Sequence, residues 1–168
     1  MLDVNAAWDE VLLRLSVAAA CGAVLGWDRE ARSKPAGLRT NILVSMGAAL
    51  FAIVGIELAT DVRAEGGAAD PVKVIDGVVG GVGFLGAATV FRSRRGVEGV
   101  TTAATIWLMA GIGATCGIGA YQTALTATGI AMFTLTALGF MESKWKNGAR
   151  EAELARPLPE DDGGDSRA

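Results

Sequence analysis

Apolar residues gather into five long blocks separated by short polar stretches: Val11–Trp27, Asn41–Ala59, Val72–Phe91, Thr101–Gly119 and Tyr121–Phe140. Each block is close to the ~20 residues a helix needs to cross the hydrocarbon core of a bilayer. In lipid a spanning segment must satisfy its own backbone polar groups, which favours helices. The pattern predicts an all-α, polytopic membrane helix bundle with about five transmembrane helices.

The stretches between the blocks differ in charge. Loop one carries Arg29, Arg32, Lys34 and Arg39, and loop three carries Arg92, Arg94 and Arg95. The tail carries Lys144, Lys146, Arg150, Arg156 and Arg167. The opposite side has Arg63, with Lys73 at a helix edge and Arg14 inside the first block. Five crossings place the three basic segments on one side, and the excess of Lys and Arg makes that side cytoplasmic. The expected topology has the N-terminus outside and the C-terminus in the cytoplasm.

Composition agrees with a membrane protein. Of 168 residues, 51% are hydrophobic. The net charge of −3 carries little information, because the acidic excess sits in the two ends. Residues 1–142 read as one transmembrane domain and 143–168 as a polar, disordered cytoplasmic tail. The basic loops are short and explained by topology, so nucleic-acid binding is not expected. The lipid bilayer is the expected environment, crossed several times. Cys21 and Cys116 fall at different depths and read as small packing residues rather than a disulfide. Ala18-Ala19-Ala20-Cys21 lacks the basic segment of a lipoprotein signal, so the first block is expected to stay as an anchor.

Glycine and alanine lie inside the blocks. Gly22/Gly26, Gly77/Gly81 and Gly113/Gly117 are spaced to let helix backbones approach closely. The third block concentrates Gly77, Gly80, Gly81, Gly83 and Gly86, which predicts a central packing helix touched on several sides and intolerant of bulk. Gly81 to Gly86 also matches the dinucleotide fingerprint, but that fingerprint needs a strand before it inside a soluble unit. Asp70-Pro71 reads as the start of the third helix.

Three blocks together resemble the membrane domain of the MgtC/SapB family. The first is Gly22 to Glu30, continuing from Lys34 to Thr40; the second is Gly80 to Ala87; the third is Gly99 to Trp107. Their order and spacing match from about residue 10 to 140. Asp28 stands where the family usually has Glu, Asn41 where His is common, Asp76 where an amide is expected, and Ala88 where Gly is usual. The resemblance covers the membrane domain, and a counterpart of the soluble C-terminal domain of some members is not expected. The resemblance implies a multi-pass protein of the bacterial inner (plasma) membrane, associated with magnesium limitation, acid stress and survival inside host cells, with no established enzymatic reaction.

Two polar layers emerge from the expected topology. On the cytoplasmic side lie Asp28, Arg29, Glu30, Arg39, Thr40 and Asn41, joined by Thr101 and Thr102 at the start of the fourth helix. Two helix N-termini point at this layer, and their positive ends with Arg29 and Arg39 suit an anion. Alternatively Asp28 and Glu30 fill that role internally, as caps and ion-pair partners, with Arg39 half-buried against carboxylates. Nearer the outside lie Arg14, Glu57 and Asp76, where an intramembrane charge marks a functional candidate. Arg14 is expected to pair with Asp76, leaving Glu57 toward the outer interface.

The chain has no His and no nucleophile beside a base. No catalytic residue, metal or cofactor is expected. Two function classes remain. One is a non-enzymatic modulator of membrane physiology acting through another membrane protein; the other is a small ion or solute transporter using the buried acids. A homo-oligomer is compatible with both.

Overall fold

The computed structural model describes residues 4–70, 72–93 and 96–154, with side chains described from Trp8 to Phe140. Five helices and one small hairpin follow in order. They are α1 (Val4–Ala31), α2 (Leu38–Ala64), α3 (Val72–Ala87), β1 (Phe91–Ser93), β2 (Gly96–Glu98), α4 (Val100–Gly117) and α5 (Tyr121–Leu154). Four of the helices are long and apolar enough to cross a membrane: α1, α2, α4 and α5. Large apolar side chains such as Leu43, Phe51, Leu58, Phe84, Trp107 and Phe133 are exposed. A surface this apolar is at home in lipid. The chain is an all-α membrane bundle.

The helices end where local chemistry stops them. Ser33 and Ala36 both take left-handed φ, at 52° and 56°, on either side of Lys34-Pro35. Proline disfavours helical geometry in the residue before it, so α1 closes with the Ser33 and Lys34 N–H groups bonded back to Glu30 and Arg29 carbonyls. Asp70 opens α3 as expected: its carboxylate accepts from the Val72 N–H at 3.0 Å. Pro71, Arg94 and Arg95 lie outside the described residues.

The core of the unit spanning residues 1–133 is a three-helix contact, with α2 packed against both α1 and α4 and those two against each other. Small residues make it close. A Cβ built on Gly22 would lie 2.7 Å from the Asn41 carbonyl oxygen, and one on Gly26 2.7 Å from the Leu38 Cα. Gly113 and Gly117 of α4 meet the backbone of Ser45 and Ala49 in the same way. Ser45, Ala48, Ala49 and Ala52 are the buried residues that α2 offers in return. Buried Ser45 Oγ donates to the Ala18 carbonyl at 2.8 Å, tying α2 to α1.

α3 departs from the sequence expectation. It has 16 residues, about 24 Å at 1.5 Å per residue, and stops at Ala87 rather than continuing to Phe91. Turn bonds from Thr89 and Val90 to the Gly86 and Ala87 carbonyls end it, and the chain turns into the β1–β2 hairpin. Nor is α3 central. It packs against α4 and α2 through Ile75, Val78, Val82 and Gly86. Gly77, Gly80, Gly81 and Gly83 have nothing within 4 Å of an added Cβ. Glycine at 77, 80, 81, 83 and 86 announces a thin helix, but it does not say which face packs.

The second unit begins at Thr134, within α5. Its helical backbone runs on to Leu154, into the segment expected to be a disordered tail. Residues 155–168 lie outside the described residues.

Candidate functional site

The end of the bundle where α1 finishes and α2 and α4 begin holds a group of buried polar side chains. Asp28, Arg29, Asn41 and Thr102 are 7%, 5%, 0% and 2% exposed. Such groups persist in an apolar setting when hydrogen bonds hold them. Arg29 Nη2 donates to Thr102 Oγ1 at 2.6 Å, joining the last turn of α1 to the first turn of α4. Arg32 Nε donates to Asp28 Oδ1 at 2.8 Å. Asn41 Nδ2 donates to the Ala36 and Gly37 carbonyls at 2.6 and 2.9 Å, which pins the α1–α2 corner onto α2. Glu30 Oε2 accepts from the Leu38 N–H at 2.8 Å and so caps α2. The same oxygen would sit 2.8 Å from a Cβ on Gly37, so a side chain there would push the Glu30 carboxylate off its cap.

Three buried atoms of this group have no hydrogen-bond partner among the described residues: Asp28 Oδ2, Arg29 Nε and Asn41 Oδ1. An unpartnered buried polar atom forfeits about 1–3 kcal/mol of desolvation, and more when charged. The site therefore has both donor and acceptor capacity in reserve.

The structure divides the eight residues expected in this layer. Asp28, Arg29, Asn41 and Thr102 are buried, and Glu30 joins them through its cap from an exposed position. Arg39, Thr40 and Thr101 are exposed. The half-buried Arg39 expected from sequence is not found. Its carboxylate neighbours are engaged locally, Glu30 by the α2 backbone and Asp28 by Arg32. Ser45 and Thr105, also buried, were not singled out from sequence. The signal for Ser45 was its spacing, one turn beyond Asn41 on the face that meets the α1 glycines.

The outer group does not assemble as expected. Arg14 pairs with Glu10, one turn away on its own helix. Arg14 Nη1 also donates to the Gly117 carbonyl at 2.7 Å, at the C-terminus of α4 where a cation is favourable. Asp76 and Glu57 are both exposed. The Arg14–Asp76 pairing fails because Glu10 supplies a carboxylate at i,i−4, while Asp76 belongs to the unpacked side of α3.

Between α2 and α3 runs an apolar groove of about 620 Å³, lined among others by Leu43, Val44, Phe51, Gly77, Gly81 and Leu85. Among the described residues, no three His, Cys, Asp or Glu side chains gather closely enough to hold a metal ion.

Comparison with known proteins finds relatives of this chain. The sequence model of the MgtC family matches residues 15–144. Protein MgtC of Salmonella typhimurium is 41% identical over 117 residues, covering 70% of this chain and 47% of that protein. YhiD of Escherichia coli, named as a candidate magnesium transporter, is 44% identical over 115 residues, covering 67% of this chain and 53% of its own. Protein SrpB of Synechococcus elongatus is 39% identical over 142 residues, covering 77% of this chain and 75% of its own. The chain spans about half the length of the Salmonella relatives it matches. No solved structure matches.

Proposed function

The chain belongs to the MgtC family of multi-pass inner-membrane proteins, and from that premise we propose that it is a non-enzymatic modulator of membrane physiology under magnesium limitation or acid stress, working by contact with another membrane protein. The α2–α3 groove carries this reading. Two glycine pairs, Gly22/Gly26 and Gly113/Gly117, are occupied by the backbone of α2. The third, Gly77/Gly81, lines an open apolar groove instead. Small residues with an exposed apolar flank suit the docking of a transmembrane helix.

The test is photo-crosslinking in native membranes from Phe51, in the groove, with exposed Leu125 on α5 as the control. A discrete protein adduct from Phe51, lost in Gly81→Leu together with growth under magnesium limitation, is the expected result. Lipid adducts alone, or full growth of Gly81→Leu, overturn the reading. The transporter alternative rested on shared buried acids, and both Glu57 and Asp76 are exposed. Saturable uptake of labelled Mg²⁺ into proteoliposomes, abolished by Asp76→Asn, would favour it instead.

A further inference from the structure

Two helices begin at the polar end of the bundle, and their N-termini are served differently. Each N-terminus presents first-turn N–H groups without intrahelical partners and the positive end of a helix dipole. At α2 this is met internally, since the Glu30 carboxylate accepts from Leu38 N–H. At α4 it is not. Its N-cap is Gly99 at φ 89°, with no side-chain cap and no acid in the first turn. The nearby Glu98 carboxylate accepts from Ser93 Oγ across the hairpin.

A second, independent observation converges on the same turn. Arg29 is 5% exposed, and its hydrogen bond to Thr102 Oγ1 sets the guanidinium against the first turn of α4. Its Nε has no partner among the described residues. A buried cation thus sits at the positive end of a helix, with a donor to spare. The adjacent carboxylate, Asp28, is drawn to Arg32 through Oδ1. Arg29 and Arg32 thus share Asp28, while the other carboxylates at this end, Glu30 and Glu98, are engaged by the Leu38 N–H and Ser93 Oγ. Thr101 and Val100 of the same turn are exposed, so it is open to an incoming group.

We propose that the first turn of α4, with Arg29 behind it, binds a phosphate-class oxyanion. Backbone N–H groups of Val100 and Thr101 and the Arg29 guanidinium supply the donors, as at other helix N-termini that hold phosphate. The source is either free phosphate or the headgroup of an anionic phospholipid. Exposed Lys34 and Arg39 at the same end attract both. Exposed Trp27 and Phe91 also suit a membrane interface.

The full chain in phosphatidylcholine nanodiscs provides the test, in two arms. One measures equilibrium binding of radiolabelled inorganic phosphate. The other measures retention of phosphatidylglycerol by native mass spectrometry from mixed discs. Binding in the first arm identifies free phosphate, and in the second a lipid headgroup. Thr101→Asp places a carboxylate on the exposed first turn, where it favours the helix dipole and competes for the site. It is expected to keep wild-type thermal stability and to weaken binding by roughly tenfold or more, in keeping with loss of a charge-assisted contact. Arg29→Lys, which keeps the charge but not the fork of donors, is expected to weaken it as well. No binding in either arm, or wild-type binding by a folded Thr101→Asp, overturns the proposal.

Discussion

Adding one methyl group at Gly22 and one at Gly81 should have opposite effects, and the difference measures how the bundle is built. At Gly22 the new Cβ would lie 2.7 Å from the Asn41 carbonyl oxygen and 2.8 Å from the Ile42 Cα. Both neighbours are backbone and cannot rotate away. Restoring ordinary contact at 3.4 Å requires α1 and α2 to part by about 0.7 Å, from 3.4 − 2.7. The same movement stretches the Ser45–Ala18 hydrogen bond from 2.8 Å to about 3.5 Å, the edge of what counts as a bond. Overpacking costs about 1–3 kcal/mol, and a weakened interhelical bond adds roughly 0.6 kcal/mol. The gain in helix propensity from Gly to Ala, about 1 kcal/mol, offsets part of this. At Gly81 nothing lies within 4 Å, so only the propensity gain remains. The expectation is that Gly22→Ala destabilises by about 0.6–2.6 kcal/mol while Gly81→Ala stabilises by up to about 1 kcal/mol. Tryptophan fluorescence followed through an SDS titration in mixed micelles reads both. Equal midpoints for the two variants would refute the close α1–α2 approach.

Arg39→Ala should leave stability within about 0.5 kcal/mol of wild type, because the side chain is exposed on the surface; a larger loss in the same titration would mean that Arg39 has a partner the structure does not give it. Arg14→Ala and Asp76→Asn should combine additively, within about 0.5 kcal/mol, since Arg14 is engaged by Glu10 and the α4 terminus rather than by Asp76. A coupling well above that in a double-mutant cycle would restore the pairing that helix depth alone suggested.

What was legible in the sequence was whatever repeated along it. Hydrophobic blocks fixed the helices, and Asp70-Pro71 marked the start of α3 through a cap that the structure contains. The glycine pairs at 22/26 and 113/117 foretold two close contacts, because a pair at i,i+4 lies on one face wherever that face points. The same rule failed for α3. Five glycines in three turns leave no face distinguished, so the sequence could not tell a crowded helix from an open one. The buried polar group was legible as a cluster but not in its division. Asp28 and Glu30 flank Arg29 with equal claims on it, and only the turn geometry of Ser33 and Ala36 decides that Glu30 reaches the α2 backbone while Asp28 meets Arg32. Arg39 was misjudged for a related reason. It follows Leu38 in the first turn of α2, where position around the helix decides exposure more strongly than the charges nearby.

The open face of α3 and the first turn of α4 are also mechanically close. α3 touches α4 where Gly86 meets Ala103: a Cβ on Gly86 would lie 3.4 Å from the Ala103 carbonyl oxygen. Ala103 is next in sequence to Thr102, which holds Arg29. A helix seated against Gly77 and Gly81 therefore pushes on an element whose only close glycine contact with α4 lies one residue from the Arg29 anchor. Given both proposed sites, a docked helix that shifts α4 is expected to alter oxyanion affinity, and the oxyanion then alters docking by the same factor, because coupling between two binding sites is reciprocal. Gly86→Leu cuts into that contact without touching either surface. It should uncouple the two sites, so that phosphate no longer changes the yield of the Phe51 crosslink while each site still binds alone. Coupling that persists in a folded Gly86→Leu protein would mean that the α3–α4 contact is not the route.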